Sequence, residues 1–231
     1  MELQRLRVSY DDLAQMPEDG RRYELYNGEV FVVPSPMLRH QVVGMRLWRM
    51  LDDYATETGG LAVSSPIDIV FSDYDVVQPD IAFFTASSLR SVRLDKPIRR
   101  SPDLAVEVLS PSSASNDRGR KMRMFQRYGV PEYWIVDPIA ETIEIYRLAE
   151  STYELVARVS GGQEMRSAVF GGLVFSVAGY LSAAGQLNPI NTLQSDNNLA
   201  ILQSTNLPML CTPEPFFFGR AFCFQPFQLH L

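Results

Sequence analysis

Two periods run through the hydrophobic positions of this chain. A spacing of three and four marks one long helix: Ser35-Pro36 supplies a cap and a first helical proline, Val43, Leu47, Leu51 and Tyr54 form the apolar stripe, and Gly59-Gly60 ends it near Thr58. His40 lies on that stripe one turn earlier. A spacing of two marks strands over 61–70, 76–84, 132–138, 142–148 and 153–159, and the run Leu104 to Leu109 is apolar enough for a buried strand. Tyr23 to Val33, folded at Asn27-Gly28, reads as a hairpin. Ser9 caps a short helix that Pro17 stops, and 117–128 is helical, closed by Gly129 and Pro131. Residues 85–102 read as a Ser- and Pro-containing connection with a short helical turn, and a last short element ends near Ala184. The order predicts an α/β (α+β) fold: a central mixed β-sheet with a helix on each side.

Residues 185–231 differ in kind. Only Asp196, Glu214 and Arg220 are charged there, and no period is visible. The expected organisation is therefore a domain over 1–184 and an atypical tail over 185–231, poorly ordered or a docking segment. The chain has 231 residues, enough for one domain with a real core. No run is long enough for a membrane span, no signal-peptide core precedes the domain, and the two cysteines, Cys211 and Cys223, lie in the tail; a cytoplasmic protein is expected.

Charge changes the picture by its placement. The formal net charge is -6, yet residues 86–127 carry 10 basic and 4 acidic groups, against 7 and 14 in 1–85 and 4 and 9 in 128–231. A basic patch on an acidic body suits contact with a polyanion; the alternative is a solvated surface with unevenly spread charge.

Three side chains in the basic region and just before it stand out chemically. Glu107 sits inside Leu104-Ala105-Val106-Glu107-Val108-Leu109, where alternation puts it on one face with Ala105 and Leu109. A buried carboxylate needs a cation, whether a metal, an arginine or a lysine. Asp80 follows Pro79, which fixes the local backbone, removes a donor and predicts an edge position or a break in pairing. With Glu107 it offers two oxygen ligands to a hard divalent ion, Mg²⁺ or Mn²⁺. Lys121 shares a helical stripe with Phe125 and Tyr128 and can face the same place, where it would stabilise phosphoryl charge or orient a water. Two acids, a lysine and nearby arginines suit phosphodiester hydrolysis. No phosphate-binding glycine loop or nucleophile elbow competes with this reading. A glycosidase using Asp80 and Glu107 is a weaker rival.

Pro79-Asp80 followed by Glu107-Val108-Leu109 resembles the PD-(D/E)xK nuclease superfamily. Glu107-Val108-Leu109-Ser110-Pro111-Ser112, Asp117-Arg118 with Lys121, and Tyr128-Gly129-Val130-Pro131-Glu132-Tyr133-Trp134-Ile135-Val136-Asp137-Pro138 resemble more closely the Uma-type restriction endonuclease family, over about residues 8–183. The resemblance implies a restriction-endonuclease-like core that hydrolyses DNA, with Asp80 and Glu107 as metal ligands. It adds Glu24 as a further ligand and His40 as a proton-transfer or phosphate-contacting group, with Asp80, Glu107, Lys121 and His40 as the catalytic set. Where the superfamily pattern has lysine two residues after the glutamate, this chain has Leu109, and Lys121 on the next helix is the substitute. DNA is the implied partner and a homodimer the implied assembly. The alternative is a catalytically inactive nuclease-fold protein that binds nucleic acid or protein.

Overall fold

The computed structural model describes residues 7–181. Ser9 caps α1 (Tyr10–Ala14) through a reciprocal bond pair with Asp12. Strands β1 (Arg22–Tyr26) and β2 (Glu29–Val33) form the expected hairpin, with Asn27 and Gly28 both at positive φ, as a tight two-residue turn demands. Helix α2 (Leu38–Thr58) begins two residues later than Ser35-Pro36 suggests: Met37 is its cap, and no side chain bonds the first turn. Its buried residues are Val43, Leu47, Met50, Leu51 and Ala55, and Gly59 ends it in the left-handed conformation.

Two stretches that read as single strands are each divided at a proline. Residues 61–70 become β3 (Leu61–Ser64) and β4 (Ile69–Ser72), parted at Pro66; residues 76–84 become β5 (Asp75–Val77) and β6 (Ile81–Phe84), parted at Pro79. A proline has no N–H for the ladder, so pairing stops there. β3 pairs with β6 and β4 with β5, so the four pieces form one long hairpin bent opposite the two prolines. Its halves enter different sheets, and hydrophobic period alone gave no sign of the second one. A four-stranded sheet has the order β2-β1-β5-β4. A six-stranded sheet has the order β10-β9-β8-β7-β6-β3, with β7 (Leu104–Val108), β8 (Glu132–Asp137), β9 (Thr142–Ala149) and β10 (Thr152–Ser160). Only the β7–β8 pair in it is parallel. Asp80 therefore sits at the seam between the sheets, beside the end of β7.

The connection between β7 and β8 is helical. After the short α3 (Ala86–Leu89) and strand β7 comes α4 (Ala114–Asn116), then a π-helical turn (Asp117–Lys121), then α5 (Met122–Arg127). The helix thus starts earlier than predicted and contains a widened turn. Strand β7 is buried throughout, and its two faces go where alternation sends them. Leu104, Val106 and Val108 pack under α2 with Trp134 and Val136; Ala105 and Leu109 pack with Phe125, Tyr133 and Ile135. Strands β11 (Glu164–Arg166) and β12 (Val174–Ser176) and α6 (Ala178–Leu181) complete the fold. Glu132, fully buried, anchors this last region: it accepts from Trp134 Nε1, Ser167 Oγ and Val169 N. The tail over 185–231 and both cysteines lie outside the described residues. Among the described residues no helix is long and apolar enough to cross a membrane.

The α2–β3 turn gives a test of the fold. A Cβ on Gly59 (φ +73) would meet only ordinary contacts, so Gly59→Ala should cost about 1–2 kcal/mol from backbone strain. A Cβ on Gly60 would lie 2.6 Å from the Phe84 carbonyl oxygen, which belongs to β6 and cannot yield without disturbing the β3–β6 pairing. Gly60→Ala should therefore be the more damaging change in urea unfolding.

Candidate functional site

Asp80 is placed by the Pro79 break and held in position. Its Oδ2 accepts from Val108 N at 2.8 Å and lies 2.9 Å from His40 Nε2. His40 comes from the first turn of α2, so the stripe that fills the core also delivers the imidazole to the acid.

Glu107 and Lys121 meet in the interior. Lys121 Nζ is 2.9 Å from Glu107 Oε1, 3.1 Å from Glu24 Oε1 and 3.0 Å from the Gln78 carbonyl oxygen, to which it donates. Glu107 is 2% exposed and Lys121 4%. Glu24, on β1, is fixed on both oxygens: Oε1 also accepts from Gln78 N at 2.8 Å, and Oε2 from the Tyr26 hydroxyl at 2.7 Å. Asn116 donates to that hydroxyl from the other side.

The widened turn adds a fourth acid. Asp117 and Lys121 stand at the two ends of the π-helical stretch and are both buried. In a turn of this kind they lie nearly one above the other, and such turns cluster at functional sites. Asp117 Oδ2 is buried with no hydrogen-bond partner. Sequence reasoning gave Asp117 no role. The available signal was its spacing of four from Lys121.

Asp80, Glu107, Lys121, His40 and Glu24 all line one cavity of about 570 Å³. Asp117, Gln78 and Asn116 line it too, with Arg22, Arg120 and Arg123. The basic side of the pocket is narrower than the charge distribution suggests. Arg118 pairs with Glu144, Arg127 with Asp75, Arg99 with Asp73 and Arg93 with Asp95, so these serve the fold or the outer surface. Arg22 comes from outside the basic region. Arg120 lies over the Phe31 ring, 3.7 Å from its centroid.

Electrostatics follow from burial. Burial pushes the Glu107 carboxyl well above the usual range; Lys121 opposes this, and Asp80, Asp117 and Glu24 add to it. Burial works against the Lys121 charge as well, but Glu107 and Glu24 more than offset it and hold the ammonium well above an ordinary lysine. Asp117 is pushed up to about 6, first by burial, with Lys121 and a Ser113 bond pulling it back. The three buried acids share one buried cation, so the pocket retains a proton or takes up another positive charge.

A cation fits that deficit. Among the described residues no three His, Cys, Asp or Glu side chains form a metal-binding group. A hard ion such as Mg²⁺ asks less of the protein: one or two carboxylates, the rest of its shell being water and substrate oxygens. Asp80 and Glu107 both line the cavity and are donors of that type, and the unpartnered Asp117 oxygen adds to the negative field. Both oxygens of Glu24 already have partners within the protein: Lys121 and Gln78 N on Oε1, and the Tyr26 hydroxyl on Oε2.

Leu109 explains the missing lysine. It is buried in the cluster that contains Phe125 and Tyr133, and its N–H bonds the Val136 carbonyl. The ammonium reaches Glu107 from the helix instead.

Residues 10–178 match the sequence model of Uma2, described as "Putative restriction endonuclease". The chain belongs to the Uma2 family. An uncharacterized protein of Synechocystis sp. is 26% identical over 148 residues, spanning 61% of this chain and 74% of that protein. The crystal structure of a nuclease from Anabaena variabilis, given as putative and as belonging to DUF820, has a TM-score of 0.62 to this chain at 19% identity. It covers 75% of this chain and is itself covered over 99% of its length, so this Uma2 member shares its fold. The fold and family are those of a nuclease.

The Asp117 proton has a measurable consequence. Its folded pKa of about 6 lies above the ordinary 3.8, so the stability it brings is present below pH of about 4 and is lost as pH rises through about 6. A shift of this size corresponds to about 3 kcal/mol. Asp117→Asn, neutral throughout, should melt higher than wild type at pH 8 in EDTA, with the gap closing near pH 4. Thermal unfolding at the two pH values checks this.

Proposed function

We propose that this protein is a Mg²⁺- or Mn²⁺-dependent endonuclease that hydrolyses DNA phosphodiester bonds. The observation that carries the reading is the convergence of Asp80, Glu107 and Lys121 on one cavity that Arg22, Arg120 and Arg123 also line. Asp80 and Glu107 would hold the metal. Bound there, the ion would lower the pKa of a water and neutralise charge developing on the phosphoryl group.

The chain's own residues prepare that site. Val108 N and His40 fix the Asp80 oxygen, so the carboxylate is oriented before any substrate arrives. We assign His40 this orienting role in the catalytic set. Glu24 and the Gln78 carbonyl hold the Lys121 ammonium against Glu107 on the cavity wall, where its positive charge would act on a phosphoryl group in the cavity. Glu24 is thus a positioning residue for the lysine. Arg120 and Arg123 offer guanidinium groups to flanking phosphates. The proposal includes a homodimer, since cutting both strands of a duplex calls for two such sites.

Supercoiled plasmid is the direct substrate. With Mg²⁺ or Mn²⁺ the wild-type protein should nick or linearise it, and EDTA should stop the reaction. Asp80→Ala and Glu107→Ala should each lower the rate at least about a hundredfold, the scale expected when a group that stabilises transition-state charge is lost. A Glu107→Ala protein that cuts as fast as wild type would overturn the assignment. Glu24→Gln should be milder, lowering the rate while leaving the dependence on metal concentration unchanged.

A further inference from the structure

A second cavity, of about 240 Å³, adjoins the acidic one. Arg22, Pro36, His40 and Asp80 line both, so the two share a wall made partly of the His40–Asp80 pair. Beyond that wall the character changes. Gly44, Met45 and Trp48 of α2 supply one side, and Pro66 contributes to the lining. Trp48 is held in orientation because its indole N–H donates to the Ala62 carbonyl at 3.0 Å. Gln41, Ser64 and Ser65 supply polar groups. Arg22 bonds Ser65 Oγ at 2.7 Å, which places its guanidinium at the junction of the cavities.

The apolar share of the lining is larger here than in the acidic cavity, which suits a planar heterocycle. The fixed Trp48 indole and the Met45 thioether supply apolar surface for a ring, and the hydroxyl and amide groups can meet a polar ring edge. The volume is below that of a drug-sized pocket and suits a single small group. A base stacked inside a duplex cannot enter such a recess; an unpaired or extruded one can. Since the wall contains Asp80, an occupant would belong to the nucleotide next to the phosphate under attack.

We propose that this cavity receives one unpaired nucleobase beside the scissile phosphate, so that the protein selects DNA with a single-stranded or extruded nucleotide at the cleavage point. This rests on the nuclease reading given above.

The test compares two labelled strands of equal length, oligothymidylate and an abasic tetrahydrofuran strand, by fluorescence anisotropy with Ca²⁺ as the divalent ion. They carry the same phosphates and differ only in bases. Wild type should bind the thymidylate strand about ten-fold more tightly, the size of one base stacking on an aromatic side chain. Gly44→Leu should abolish that preference and leave abasic binding unchanged. Gly44 lines the cavity, and a Cβ there meets only Val108 Cγ2, at 4.0 Å, so the substitution starts without a backbone clash. A second readout needs no variant. The protein's two tryptophans are Trp48 and Trp134, and Trp134 is fully buried, so a change in emission on adding the thymidylate strand but not the abasic one reports occupancy beside Trp48. Equal affinity for the two strands with no such emission change would overturn the base pocket while leaving the nuclease reading intact. Failure of both strands to bind, together with uncut plasmid, would overturn both.

Discussion

The Lys121 ammonium is the charge on which the interior of this protein depends. It reaches Glu107 of β7, Glu24 of β1 and the carbonyl of Gln78, and so ties the six-stranded sheet, the four-stranded sheet and the seam between them to one point. None of these groups is cheap to bury alone. A lone carboxylate or ammonium in such a place would cost several kcal/mol or give up its charge. Together they tolerate burial, but not completely. Three buried acids face one buried cation, and both the raised Glu107 and the raised Asp117 express the remainder.

That remainder links structure to function. An arrangement built for stability alone would be better neutralised, or replaced by apolar residues of similar volume. Here the negative excess is directed into a cavity whose lining includes three arginines, next to an aspartate already held by a backbone amide and a histidine. On the nuclease function proposed above, a divalent ion and a phosphodiester would together supply the charges each half of the pocket lacks.

Much of this was legible in the residues. Glu107 inside an apolar strand, Asp80 after a proline and Lys121 on a packing stripe each broke a local rule, and each breach marked the pocket. The faces of β7 followed from alternation, and the hairpin from Asn27-Gly28. The divided strands were less legible. Proline announced a break in pairing, but whether the chain then ends a strand or passes into another sheet depends on partners remote in sequence. The π-helical turn left no signature in the period, because the helical stretch over 114–127 holds too few apolar positions for a change of phase to show.

Local backbone sterics and the period of apolar residues were enough to read the long helix, the first hairpin, the faces of β7 and the identities of the reactive side chains. What each reactive group touches depends on strand pairing between segments remote in sequence. Glu24 became the clamp of Lys121 because β1 pairs with β5 and brings it against Gln78. Arg118 became a structural partner of Glu144 rather than part of the pocket, although it lies within three residues of Lys121. Leu109 took the core position and left the lysine to the helix, since a buried carboxylate specifies that a cation must come but not from which direction.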